Sequence, residues 1–141
     1  MIRNISAKVS FEMLKDGENS HLIDVRTLPE WNFVGVPQLD DIGKEVIFCS
    51  FKTYPNMEIN QDFVNILYSR FNPKLINKQE TKLLFLCKIG GRSYDAAMLM
   101  QQAGFKHCYN IEYGFEGDLD KANHRGNING WKAEGLPWGQ I

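Results

Sequence analysis

Four short apolar runs recur along the chain, each set off by polar or glycine-bearing stretches. They are His21–Val25 (HLIDV), Glu45–Phe51 (EVIFCSF), Lys82–Leu86 (KLLFL) and His107–Ile111 (HCYNI). Each is too short for a helix and suits a buried strand. The intervening segments carry apolar residues at helical spacing. Val9, Met13 and Leu14 predict a helix running to about Lys15, capped by Ser6 or Ser10. Phe63, Ile66, Leu67 and Arg70 predict a second over Asp62–Phe71, with Asn60 or Asp62 as cap. Ala96, Ala97, Met100 and Ala103 predict a third from Ser93 onward, stopped by Gly104. Ile2–Ser6 reads as an opening strand or cap, Asp16–Ser20 as a turn and Phe51–Gln61 as a loop. Gly130–Gly135 reads as a short helical turn, after which Leu136, Pro137 and Trp138 pack the tail. Strands alternating with helices predict an α/β domain with a mainly parallel central sheet flanked by helices. A chain of 141 residues is expected to form one domain, 1–141.

Composition narrows the function without naming it. Sixteen Lys and Arg stand against seventeen Asp and Glu, a net charge of −1, which gives no ground for a nucleic-acid or membrane partner. The opening MIRNISAKVSFEML has no continuous apolar stretch of the signal-peptide kind, and no run approaches a membrane span. Cys49, Cys87 and Cys108 are few, odd in number and not spaced as a disulfide framework. A reducing, cytoplasmic setting is the expectation. Cys49 lies in EVIFCSF and reads as a packed core thiol. His107 and Cys108 are adjacent in a strand and point to opposite faces, while His21 and His124 stand alone. No metal and no cofactor is expected. The oligomeric state is left open.

The chemistry concentrates where the third strand meets the third helix. Cys87 follows LLFL directly, and Lys88, Ile89, Gly90, Gly91, Arg92 and Ser93 lead into the helix. A helix N-terminus offers unpaired N–H groups with partial positive charge. Glycines let successive N–H groups converge on one point. Such a loop favours the thiolate, the nucleophilic form of a cysteine, and can hold an anion. The bland alternative is an inert buried cysteine. Asp24, set among Leu22, Ile23 and Val25, must find hydrogen-bond donors. Strand alternation puts Arg26 on its face, so the two are expected to share a network. Cys87 and Asp24 both fall at carboxyl ends of strands, where sites of open α/β sheets lie.

CKIGGRS resembles the active-site loop of rhodanese-domain sulfurtransferases. LIDVRTLPEW, Leu22–Trp31, resembles that family's first signature, with Asp24, Arg26 and Glu30 at matching places. GWKAEGLPW, Gly130–Trp138, resembles its C-terminal signature. The resemblance implies a rhodanese-like fold of the single-domain bacterial type. It implies a sulfurtransferase in which Cys87 carries a persulfide, supplied by a small donor such as thiosulfate and relieved by a thiol or cyanide. The backbone from Lys88 to Ser93 would cradle the persulfide, Arg92 would orient the loop or the donor, and Lys88 would attract it. Asp24, Arg26, Glu30 and Trp31 would support the architecture.

Three departures qualify the match. Ile89 stands where many related loops carry Ser or Thr. Phe33–Pro37 (FVGVP) replaces the family's usual run and lacks its histidine. Asp118–Asn129, with His124 and Arg125, reads as an inserted polar loop, either a solvated spacer or a lid. Two rival functions stay in view. One is a non-catalytic rhodanese-like binding module. The other is a cysteine phosphatase or arsenate reductase. The tyrosine-phosphatase loop is Cys-x5-Arg, whereas here Cys87 and Arg92 are separated by four residues.

Overall fold

The computed structural model describes residues 1–141. The order is β1 (Arg3–Ile5), α1 (Ala7–Asp16), β2 (Ser20–Asp24), α2 (Leu28–Phe33), β3 (Val36–Pro37) and β4 (Ile47–Phe48). The chain continues with β5 (Lys52–Thr53), β6 (Glu58–Ile59), α3 (Phe63–Ser69), β7 (Lys82–Leu86) and α4 (Gly91–Gln102). It ends with β8 (His107–Ile111), α5 (Gly130–Ala133) and β9 (Trp138–Gly139). Five strands form the central sheet in the order β1-β8-β7-β2-β4, and every pairing is parallel. This is the α/β architecture with a parallel central sheet expected from the alternation of short apolar runs and helical segments.

Side-chain alternation splits the core into two layers. Ile23, Leu83 and Phe85 face one side and pack with Phe63 and Leu67 of α3 and with Ala96, Ala97 and Met100 of α4. Leu22, Leu84 and Leu86 face the other and pack with Leu14 of α1 and Trp131 of α5. A strand covered on both faces favours apolar side chains throughout, which is why Leu83–Leu86 of β7 reads as an unbroken apolar run. The register sets Asp24 beside Leu86, so β2 and β7 end level with each other.

Several boundaries differ from the sequence-based expectation. Only Ile47–Phe48 of the Glu45–Phe51 run is regular strand, because β4 is an edge that pairs with β2 alone. Beyond it the chain stays attached by Cys49 N–H to Asp24 O and Phe51 N–H to Val25 O. The predicted loop 51–61 contains an antiparallel hairpin, β5 with β6. In α1 the buried face is Ala7, Ser10 and Leu14, and Val9 is 48% exposed. Ser10 is buried at no polar cost because its hydroxyl donates to Ala7 O, while Ser6 caps the helix through Val9 N–H. Ile66 likewise turns outward, leaving Phe63 and Leu67 to anchor α3. The helix after Cys87 starts at Gly91, two residues before Ser93.

Asp24 and Arg26 are both fully buried and paired, with Arg26 Nη2 2.7 Å from Asp24 Oδ2 and Nε 2.9 Å from Oδ1. Arg26 Nη2 also donates to Gly35 O at 2.9 Å, and the guanidinium lies 4.3 Å from the centre of the Phe115 ring. A buried pair is worth little against an apolar replacement, but breaking it strands a charge. Arg26→Leu is therefore expected to destabilise the fold by about 3–5 kcal/mol. The double change Asp24→Leu/Arg26→Leu should cost less than Arg26→Leu alone, as read by denaturant unfolding.

His21 gives the fold a pH dependence. Burial, reinforced by the Lys44 ammonium, pushes its pKa below the ordinary 6.5. The unfolded chain binds a proton that the folded chain refuses, so stability is full above pH 6.5 and falls as pH drops below it. His21→Leu should flatten that part of the unfolding-versus-pH curve.

Candidate active site

Cys87 is the first residue past β7 and is 1% exposed. Its Sγ accepts from Gly90 N–H at 3.1 Å and lies 3.1 Å from Ser93 Oγ. Gly90 turns the chain back over the sulfur with φ 110°, a conformation that side chains resist, and becomes the N-cap of α4. The loop is shaped from behind by residues 114–117. Phe115 N–H donates to Cys87 O at 2.8 Å and Glu116 N–H to Lys88 O at 3.0 Å. Gly114, at φ 62°, lets these chains touch, since a Cβ there would collide with the carbonyls of Cys87 and Lys88.

Those two bonds decide where the amides point. In a trans peptide the N–H lies opposite the C=O. With the carbonyls of Cys87 and Lys88 pulled toward the 114–117 turn, the N–H groups of Lys88 and Ile89 point away from it. The N–H groups of Lys88, Ile89, Gly91, Arg92 and Ser93 donate to no acceptor in the protein. The loop that follows Cys87 thus carries five unpaired donors and the start of α4, while Sγ itself accepts from Gly90 N–H, an arrangement suited to holding a negative charge beside the sulfur.

Arg92 is engaged elsewhere than at the loop's centre. Its Nη1 and Nη2 donate to Glu30 Oε1 and Oε2 at 2.8 and 2.9 Å, a two-pronged pair that ties α4 to α2. Glu30 also accepts from Thr27 N–H and hydroxyl, which fixes the start of α2. Burial pushes the Glu30 carboxyl up, but Arg92 and Thr27 outweigh it and hold the carboxyl below its ordinary range. Burial works against the Arg92 charge, and Glu30 more than restores it. Both guanidinium Nη groups are thus engaged with Glu30, while Arg92 also borders the cleft beside the loop.

An open cleft of roughly 700 Å³ lies beside the loop, lined by Ile89, Gly90, Gly91, Arg92, Asn110 and Tyr113 among others. Ile89 is 48% exposed and sits where it can meet whatever enters. Lys52, on the unpredicted hairpin, also lines the cleft, as do Asn4 and Asp118. No sequence signal marked Lys52 or Asn4, whereas Asn110, a polar residue in an apolar strand, carried the same signal as Asp24. His124 and Arg125 do not line the cleft. Their loop is knitted to itself by Asp120, which accepts from Ala122 N–H, His124 N–H and Asn127 Nδ2, and by Arg125, which donates to Gly117 O.

Asp24 and Arg26 do not touch the sulfur. They lie on the α1 and α5 side of the sheet, and their link to the loop runs through Phe115, the ring under the Arg26 guanidinium and the N–H on Cys87 O. The other two thiols are buried on the α3 and α4 side of the sheet, in the same core layer as Cys87. Burial pushes the Cys49 thiol up, against a smaller opposing pull from Arg70, and pushes the Cys108 thiol up to about 12. Neither is a candidate nucleophile.

Comparison with known proteins covers the same span. The family model of the STR4 middle domain matches residues 3–140. An uncharacterized protein of Rickettsia conorii is 39% identical over 138 residues, 97% of each chain. The chloroplastic rhodanese-like domain-containing protein 4 of Arabidopsis thaliana is 30% identical over 133 residues, which take in 94% of this chain and 25% of that protein. The crystal structure of Rv0390 from M. tuberculosis superposes with a TM-score of 0.87 at 39% identity, covering 98% of this chain and 97% of that one. The polysulfide-sulfur transferase homodimer of Wolinella succinogenes shares the fold, with a TM-score of 0.64 at 20% identity over 99% of this chain and 80% of that one. These matches run almost from end to end of this chain: it belongs to the rhodanese-like family.

Proposed function

We propose that this protein is a sulfurtransferase that carries sulfane sulfur as a persulfide on Cys87. The observation that supports it is a loop directly after Cys87 with five N–H groups left unpaired and a sixth, that of Gly90, donating to the cysteine sulfur. In the first half-reaction the Cys87 thiolate attacks the outer sulfur of thiosulfate. A new S–S bond forms, the bond between the two thiosulfate sulfurs breaks, and sulfite leaves with the electron pair. The terminal persulfide sulfur is an anion, and the loop amides stabilise it without reorganising. In the second half-reaction a thiolate or cyanide attacks that terminal sulfur, and the Cys87 thiolate departs as leaving group.

The remaining roles follow from position. Arg92 holds the loop against α2 through Glu30. Lys88 adds positive charge that draws an anionic donor. Ile89 leaves the persulfide dependent on backbone donors, with no hydroxyl from that position. A small sulfur donor and a thiol or cyanide acceptor are the partners we infer. Neither nucleic acid nor a membrane is required, and a reducing cytoplasm would keep the thiol available. No helix is long and apolar enough to cross a membrane. The short Cys87-x4-Arg92 ring argues against phosphate-ester chemistry, since a tetrahedral oxyanion needs a wider circle of donors than one sulfur does.

Incubation with thiosulfate followed by intact-mass measurement tests the proposal. The expected result is a gain of one sulfur atom that cyanide removes and that Cys87→Ser abolishes. Absence of the gain with thiosulfate and with low-molecular-weight persulfides would overturn sulfur transfer and leave a non-catalytic binding module as the better reading.

A further inference from the structure

The single hydrogen of the Ser93 hydroxyl has a definite place. Asn110 is in β8, next to β7, and is 3% exposed. Its Nδ2 donates to Gly90 O at 3.1 Å and to Asn4 Oδ1 at 2.9 Å. A backbone carbonyl only accepts, so the contact with Gly90 fixes which end of the amide is nitrogen. Asn110 Oδ1 is thereby turned to Ser93 and accepts its hydroxyl hydrogen across a short bond. Ser93 has no second hydrogen. What it presents to Cys87 Sγ, 3.1 Å away, is a lone pair. The thiol can donate into that lone pair and the thiolate cannot. Gly90 N–H, the sulfur's other partner, suits both forms.

We propose that Asn110 is a positioning residue that, by holding the hydrogen of Ser93, withholds a donor from Cys87 Sγ and so makes ionisation of the thiol harder than it would be without Asn110. For the sulfur to gain a hydrogen bond from Ser93 on ionising, the hydroxyl must swing its hydrogen from Asn110 to Sγ. That leaves a buried amide oxygen without a donor, a cost of the same order as the bond gained. The unpaired loop amides favour the anion, and the Asn110–Ser93 bond opposes them. This inference concerns the ionisation of Cys87 alone and does not depend on what the thiol attacks.

The charged groups around the loop are the Arg92–Glu30 and Asp24–Arg26 pairs, Lys88 within it, and Lys52, Asp95, Glu112 and Asp118 along the cleft. None of them changes among the variants that test the proposal. Thiolate ultraviolet absorbance and iodoacetamide alkylation are followed against pH for wild type, Asn110→Leu, Ser93→Ala and the double variant, each corrected with its Cys87→Ser counterpart. Asn110→Leu frees the hydroxyl to serve the sulfur. The expected result is a profile moved to lower pH by about one unit, with alkylation about tenfold faster at neutral pH. In the Ser93→Ala background the same leucine should move nothing. Where leucine overfills the site and the variant does not fold, Asn110→Val, smaller and a strong strand former, gives the same comparison. A profile that stays in place or moves to higher pH overturns the proposal, as does a shift that survives without Ser93.

Discussion

Two backbone hydrogen bonds govern the site. Phe115 and Glu116 hold the carbonyls of Cys87 and Lys88, and the planarity of the peptide group turns the paired N–H groups the opposite way. The orientation of the loop amides next to Cys87 is thus set by a neighbouring turn, while the Ser93 hydroxyl is the one side-chain group at hydrogen-bond distance from Sγ. The turn comes close enough only because Gly114 lacks a Cβ. Gly117 and Gly130 extend the same close packing, since Gly117 lies against Asn129 and Gly130 against Gly114. Each exchange of side-chain volume in this region would be felt at the sulfur.

Charge is placed in two layers around that loop. On one side of the sheet, Arg26 is neutralised by Asp24 and stacked on Phe115, the residue whose N–H holds Cys87 O. At the mouth, Arg92 is neutralised by Glu30 with both side chains mostly covered. Both guanidiniums therefore act on geometry more than on field. The positive potential at the sulfur is left to backbone amides, which need no counter-ion and do not move when charge develops.

Most of the fold could be read from the chain because local pattern and tertiary role coincide there. LLFL in β7 is apolar throughout because it is covered on both faces, and Ala96, Ala97 and Met100 mark the face of α4 that covers it. The pairing of Asp24 with Arg26 followed from strand alternation and the cost of a lone buried carboxylate. Reading failed where the deciding contact was distant in sequence. Val9 looked like a core residue of α1, yet the helix turned Ser10 inward because its hydroxyl could be satisfied by Ala7 O. The hairpin β5–β6 bears no strong alternation, and Lys52 reaches the cleft only through the packing of that hairpin.

The sequence by itself determined that a cysteine would sit between a buried strand and a helix start, among glycines, in a parallel α/β sheet. Those features depend on short-range pattern: apolar runs, helical spacing and the conformational freedom of glycine. Only the tertiary structure decided what surrounds that cysteine. Glu30 lies 62 residues from Arg92, yet takes up its guanidinium. Asn110, 17 residues beyond Ser93, settles the direction of the Ser93 hydroxyl. The physical reason is that hydrogen bonds are directional and saturable. Which donor serves which acceptor is set by what each has already been given in three dimensions, and no local pattern in the chain carries that information.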